Sequence, residues 1–316
     1  MCSSDLSAIE AIVAARESGG PFADLFEFCR RVDKRAVNRR AIEALIRAGA
    51  FDAIDKRRAS LLASVGAALE QAERAERAAS QVSLFGDHSD EHAAAKPKLI
   101  ETREWSDSER LANEKASLGF YLSGHPYSDY AAELASLIHV PLSATKPTTA
   151  LTRIAGIVTS FRTQTSRRGK MAFVTFDDGK DPAEIVIYNE TFDTYRHLLR
   201  EDVLLVAEVR VQQRMNEEGL MQGLRIIADA LYDLAAARRK FARGLKLVCN
   251  GSGSAERLLA LLEPFKKGQC PIVINYQNRA AGGEIELPET WRVTLDEPLL
   301  AQLREWLAPE NVRVMY

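Results

Sequence analysis

The chain has 316 residues, with 42 Lys plus Arg against 44 Asp plus Glu for a formal net charge of −2, and 46% of its residues are hydrophobic. This is a globular composition, not a disordered or fibrous one, and the length suggests two or three domains. No run approaches the ~20 consecutive apolar residues of a membrane span, whereas a net charge near zero leaves nucleic-acid binding open, because local patches make the electrostatic footprint.

Residues 1–80 read as helical. Ser7 and Glu10 have capping-box spacing ahead of an apolar-periodic run over residues 8–15, which stops at Gly19-Gly20-Pro21. A second helix over residues 22–32 places Leu25, Phe26, Cys29 and Val32 on one side. A third starts after Asn38 and stops at Gly49, with Ile42, Leu45 and Ile46 inward and Arg39, Arg40 and Arg47 outward. A fourth, Ala-rich, spans residues 60–80. Residues 81–98 then lose apolar periodicity and read as a linker. A helical connector fills residues 99–150. Ser106 and Glu109 open its first helix, which runs past Leu111 and Leu118 to Tyr121; another covers residues 128–138, and Pro141 and Pro147 mark a boundary.

From Thr152 the period changes from helical to alternating. Five strand-like runs follow, with one helix-like stretch over residues 191–199 between the third and fourth. Three strands, a helix and two strands within residues 151–236 is the element order of an OB-fold barrel. In the fourth strand Ala207, Val209 and Val211 alternate with Glu208, Arg210, Gln212 and Arg214, so one face is buried and the other polar. Arg238-Arg239-Lys240 reads as a basic hinge. Residues 241–316 read as a small α/β unit: strands at "LKLVC", "PIVINYQ", "EIEL", "WRV" and "VRVMY", helices over 255–265 and 298–307, and Gly282-Gly283 as a hairpin turn. The expected fold class is multidomain α+β: a helical region, a five-stranded OB barrel and a C-terminal α/β domain.

Two basic clusters and one apolar pair could carry function. Arg30, Arg31, Lys34, Arg35, Arg39 and Arg40 face a single acid, Asp33, at a junction of helices, a pattern suited to phosphate contacts. A solvated loop in a charge-rich protein would look the same. The segment 160–172 holds Arg162, Arg167, Arg168 and Lys170 with no acid. In an OB-fold the loop between the first two strands borders the single-strand path, and Phe161 and Phe173 are the candidate stacking platforms, unless they are core. In the linker, "QVSLF" (Gln81, Val82, Ser83, Leu84, Phe85) sets an apolar pair in a polar stretch, the form of a two-pronged anchor for a groove on a partner.

The remaining candidates read as structural. Asp177-Asp178-Gly179 is a hairpin turn before it is a metal pair, and residues 250–254 form a turn without the Lys-Ser/Thr of a phosphate loop. His88 and His92 lack further ligands. Cys2, Cys29, Cys249 and Cys270 form no CxxC pair, which argues against a zinc ribbon or disulfide scaffold and fits a reducing cytosol. With no basic-then-apolar leader, the expected location is the cytoplasm. No nucleophile arrangement stands out, so no catalytic residue and no metal ligand is assigned.

Taken together the segments resemble the C-terminal part of the bacterial replicative DNA polymerase III alpha subunit. "AIEAIVAARESGGPFADLFEFCRRVD" and "NRRAIEALIRAGAFDAI" look like its helix-hairpin-helix region, and "ERLANEKASLGFYLSGHPYSDY" resembles the block that follows. "QVSLF" matches the family's internal sliding-clamp-binding peptide, with Gln81, Leu84 and Phe85 at the defining positions. The resemblance implies DNA replication, with double- and single-stranded DNA, the sliding clamp (beta subunit) and the clamp-loader tau subunit as partners. It also implies that the nucleotidyltransferase palm and its Mg ions belong to an upstream region not seen here, so this piece needs no cofactor and is inactive alone. Residues 1–6, "MCSSDL", lack the Gly-containing hairpin expected there and read as a truncation scar, and the turn near "VDKRAVN" lacks glycines, so side chains would contact phosphate in place of backbone amides. The error-prone alpha-subunit paralogue, a free-standing OB-fold nucleic-acid-binding protein and a protein-binding adaptor are the alternatives.

Overall fold

The structure, a computed structural model, describes residues 3–80, 97–166, 169–215, 221–250, 254–278 and 282–316. It divides into two compact units, Met1–His125 and Pro126–Tyr316.

The first unit is helical: α1 (Ser3–Gly19), α2 (Leu25–Arg31), α3 (Arg39–Arg47), α4 (Arg58–Ser80) and α5 (Asp107–Leu118). Local chemistry sets the ends. Asp24 accepts from the Glu27 amide at the start of α2, Asn38 accepts from the Ala41 amide at the start of α3, and Ser106 and Glu109 cap α5 reciprocally. α5 stops at Gly119, whose φ of 83° a side chain would strain. Leu25, Phe28, Val32, Ile42, Ile46 and Phe51 bury against Leu61, Val65, Ala68 and Ala72 of α4. The small alanines let α2 and α3 approach closely, and Phe28 stacks edge-on with Phe22 and Phe51 at 5.0 Å. Burial of each large apolar side chain contributes roughly 1.5–3 kcal/mol.

A buried ion group locks α5 and its following loop to α4. Arg58 donates to Asp52 and, at 2.8 Å, to Glu114, while the other Glu114 oxygen accepts from the Leu122 and Ser123 amides.

The second unit starts with a 3-10 turn (Pro126–Asp129), α6 (Ala131–Leu137) and a 3-10 turn (Leu142–Ala144). β1 (Thr148–Ser166), β2 (Gly169–Asp177), β3 (Pro182–Tyr188), β4 (Leu204–Met215) and β5 (Met221–Tyr232) close a barrel in the order β1-β2-β3-β5-β4, with α7 (Asn189–Tyr195) between β3 and β4. β3 and β5 run parallel, and the other neighbours run antiparallel. β1 is long enough to serve two partners. Its first half pairs with β4, its second with β2, and a register shift between Val158 and Ser160 bends it between them. At Gly156 the bent strand lies so close to β2 that a Cβ would come within 2.7 Å of Phe176 Cβ. Ile154, Val158, Ala172, Val174, Phe176, Ile185, Ile187, Ala207 and Val209 fill the barrel.

α8 (Leu234–Phe241) leads to β6 (Gly244–Cys249), α9 (Ala255–Leu262), β7 (Lys266–Cys270), β8 (Ile272–Gln277), β9 (Gly282–Glu286), α10 (Glu297–Leu307) and β10 (Val312–Met315). Four of these strands form a sheet in the order β10-β6-β8-β9, with a core that includes Leu258, Leu262, Leu299, Leu300 and Leu303.

The observed fold corrects several expectations. α1 begins at Ser3, so Ser7 lies inside the helix, not at its cap; nothing in "SSDLSAIE" breaks a helix. Tyr121 falls outside α5 because Gly119 ends it, and the helix expected over 128–138 is a 3-10 turn followed by α6. The connector 99–150 does not stand apart: α5 belongs to the first unit and α6 to the second, where Leu134 and Leu137 pack on Ala155, Ile157 and Val206. The expected hinge is helix α8. Arg238 is 2% exposed and donates to Glu133 and Glu297, which ties the barrel side to the C-terminal side. "WRV" is no strand; Glu289–Trp291 is a 3-10 turn and Val293 makes single bridges to Lys266 and Cys270. Gly282 and Gly283 are paired in β9 with Gln277 and Tyr276, not in a turn.

Candidate nucleic-acid interface

The α2–α3 corner is pinned from below by Val32 and Val37, 4% and 2% exposed. Its turn consumes its own amides: Arg35 N donates to the Asp33 carboxylate, and Ala36 and Val37 N to the Asp33 carbonyl. The amides of Arg35, Ala36 and Val37 are therefore taken within the turn, and phosphate contact at these three residues falls to side chains. Arg30, Arg35, Arg39 and Arg40 are exposed. Arg39 meets Glu43 at 2.8 Å and Lys34 meets Glu76 at 2.9 Å, exposed pairs of the kind worth up to ~1 kcal/mol and easily exchanged. Arg30, Lys34 and Arg35 line one wall of a groove whose other wall is Ala72, Ala75 and Glu76.

Arg31 is different. Its guanidinium donates to the carbonyls of Ala15 (2.6 Å) and Gly20 (2.8 Å) and to Glu27 (3.1 Å), and stacks on Phe22 at 4.6 Å. It closes the C-terminal end of α1 and is committed to the fold.

On the barrel, the register sorts the candidates by face. Across β1 and β2, Arg162 stands opposite Phe173, Gln164 opposite Met171, and Phe161 opposite Val174. Phe173 in turn stands opposite Val186 of β3, and Met171 opposite Tyr188. Residues 172, 174 and 176 point into the core, so Phe173, Met171, Val186 and Tyr188 form the outer face. Arg162 covers the Phe173 ring at 4.3 Å and meets Glu184 at 3.1 Å. Arg225 of β5 lies over Tyr188 at 5.6 Å and donates to its hydroxyl.

Phe161 is 40% exposed but lies on the opposite face of the β1–β2 arm from Phe173, the side shared by Thr163, Thr165 and exposed Lys170. The two phenylalanines thus serve different faces. Arg167 and Arg168 lie outside the described residues, as do Gln81, Val82, Ser83, Leu84 and Phe85 and the histidines His88 and His92. Tyr188 and Arg225 were not among the sequence candidates. Their signal is topological: once the chain is read as an OB barrel, β5 must run beside β3.

Asp178 is in a turn, accepting from the Lys180, Asp181 and Leu142 amides. Cys29, Cys249 and Cys270 are buried free thiols, and burial pushes Cys29 and Cys270 up to about 11. Among the described residues no group of three His, Cys, Asp or Glu could hold a metal ion, and no helix is long and apolar enough to cross a membrane.

A closed five-stranded barrel with this strand order, antiparallel β1–β4 closure and a helix between β3 and β4 defines an OB-fold protein. Residues 152–234 match the family model described as an OB-fold nucleic acid binding domain, residues 4–61 the helix-hairpin-helix motif, and residues 257–307 the DNA polymerase III subunit alpha C-terminal domain. Along 98% of its length the chain is similar to DNA polymerase III subunit alpha of Neisseria meningitidis serogroup B (39% identical) and Vibrio cholerae (36%). In sequence and domain order it is similar to the C-terminal part of that alpha subunit. The chain spans 27% of the length of these relatives. Among solved structures, the mitochondrial single-stranded DNA binding protein Rim1 of S. cerevisiae is 17% identical over 27% of this chain and 94% of that one, at a TM-score of 0.22.

Proposed function

We propose that this chain is the nucleic-acid- and partner-binding part of a replicative DNA polymerase alpha subunit, acting by grip and tether and not by bond making. The observation that carries this reading is the outer barrel face, where two aromatic rings, Phe173 and Tyr188, sit diagonally on adjacent strands, each covered by an arginine. A single strand crossing that face would stack bases on the rings while Arg162 and Arg225 turn to phosphate, with Arg167 and Arg168 as further cations; Lys170 lies on the other face of the β1–β2 arm and falls outside this path. Arg30, Lys34, Arg35, Arg39 and Arg40 would hold duplex phosphates from the α2–α3 corner. Gln81, Leu84 and Phe85 would anchor the sliding clamp, converting dissociation from DNA into a tethered, quickly reversed event. The C-terminal domain would bind the clamp-loader tau subunit.

Fluorescence anisotropy with an oligothymidylate tests the barrel reading. Phe173→Ala and Tyr188→Ala are each expected to weaken binding about tenfold, within the range of roughly 1–3 kcal/mol for one base stacked on an aromatic ring. Unchanged affinity in both variants would overturn it. For the tether, replacing Leu84 and Phe85 with Ala should abolish binding to purified sliding clamp; retained affinity would remove the clamp from the proposal.

A further inference from the structure

The four-stranded sheet has two ends, and they are finished differently. At the β10 end the chain runs into Tyr316, which packs beside Leu134 and Leu137 and donates to Glu133 at 2.7 Å. At the other end β9 has no neighbour among the described residues, and all five of its residues are exposed. Leu287 N donates to Ile272 O of the β8 side at 3.0 Å. Strand alternation then turns the backbone groups of Ile285 and Gly283 toward β8 and those of Glu284 and Glu286 outward, as a row of unfilled donors and acceptors.

The side chains of this edge state what it can accept. Ile285 is 51% exposed although it stands opposite Ile274, which is 9% exposed, so the apolar face of the sheet runs out uncovered at β9. Glu284 and Glu286 share the other face. Lys246 reaches Glu284 at 3.3 Å, a pair left 62% exposed on the glutamate side. A second copy of the chain is a poor occupant. Antiparallel pairing of β9 with β9 about Ile285 sets Glu284 against Glu286 twice, and parallel pairing sets like on like; like charges directly opposite oppose pairing.

We propose that the outer edge of β9 is a docking edge for a partner's extended segment that alternates basic and apolar residues, added as a fifth strand. An apolar residue would cover Ile285, the flanking basic residues would face Glu284 and Glu286, and the outward amides and carbonyls of those two glutamates would complete the ladder. The inference rests on the sheet edge and is independent of the tau assignment.

The test uses the full chain, 15N-labelled, titrated with two eight-residue peptides, one alternating Lys and Val and the other Glu and Val. The Lys/Val peptide is expected to shift the amides of Glu284 and Glu286 and slow their hydrogen exchange, and to bind at least about tenfold more tightly than the Glu/Val peptide. Glu286→Pro removes an outward donor and leaves the β8 side of the ladder intact, so it should abolish binding, whereas Glu286→Gln should only weaken it. Protection retained at Ile285 shows that the Pro variant is folded. The double variant E284K/E286K should reverse the preference between peptides. Equal response to both peptides, no response at β9, wild-type binding by a folded Glu286→Pro, or dimerisation through β9 would each overturn the proposal.

Discussion

Glu114 is fully buried, yet Arg58 and two backbone amides hold it as a carboxylate. Burial alone would raise its pKa, but the Ser123 and Leu122 amides and the Arg58 guanidinium outweigh it and bring the value from 4.5 down to about 2. At about 1.4 kcal/mol per pH unit, that gap makes the ionised group worth about 3 kcal/mol to the helical unit at neutral pH. Because the folded value is the lower one, this stability is intact above about pH 4.5 and is lost as the pH falls toward 2. Glu114→Gln keeps the shape but leaves Arg58 with Asp52 as its one carboxylate partner at the site, a cost in the usual range of about 3–5 kcal/mol for breaking a buried pair. Urea unfolding at pH 7.5, followed through Trp105 fluorescence, should show a loss of about 3 kcal/mol, and the Leu122 and Ser123 amides should exchange faster. The gap between variant and wild type should close as the pH is lowered from 4.5 toward 2. A loss below about 1 kcal/mol at pH 7.5, the size of an exposed pair, would show that Glu114 is not held as a buried ion. So would a gap that stays constant through the acid range.

Three further outcomes follow from the geometry. Arg31→Ala should lower stability through α1 and α2, visible as faster amide exchange in Ser3–Gly19, yet leave duplex affinity of the folded protein within twofold or so, whereas removing exposed Arg35 and Arg40 together should weaken it and lower the salt dependence by about two phosphate contacts. Burial and the Arg153 charge hold His139 below the ordinary histidine value, against a smaller opposing pull from Glu208, so its contribution to stability is full above about pH 6.5 and falls as the pH drops; its NMR titration midpoint should lie below that of a free histidine, and a midpoint above it would refute the assignment. Gly268→Ala places a Cβ 1.9 Å from the Val293 carbonyl carbon, so thermal unfolding of that variant should drop steeply or the protein should fail to fold.

The barrel could be read from the chain because half-buried strands write their burial as alternation: Ala207, Val209 and Val211 are at most 2% exposed and Arg210 between them is exposed. The Ser106–Glu109 cap could be read for the same reason, since its chemistry is local. What could not be read was the destination of each cation. Arg31 and Arg35 look alike in sequence, but carbonyls 11 and 16 residues away claim Arg31. Arg238 looks like part of a solvated hinge until Glu133, 105 residues distant, is found beside it. Phe161 and Phe173 part company because the β1–β2 register pairs 162, not 161, with 173, and no composition signal carries register. Tyr188 and Arg225 meet through the non-local β3–β5 pairing.

Photocrosslinking reports whether nucleic acid crosses the outer face of β1, β2 and β3. The full chain would be irradiated with an oligothymidylate carrying 5-iododeoxyuridine, and the crosslinked peptides identified by mass spectrometry. Adducts are expected at Phe173 and Tyr188. Adducts confined to the far side of the barrel, at Tyr232 and Phe241 where α8 packs, would contradict that path.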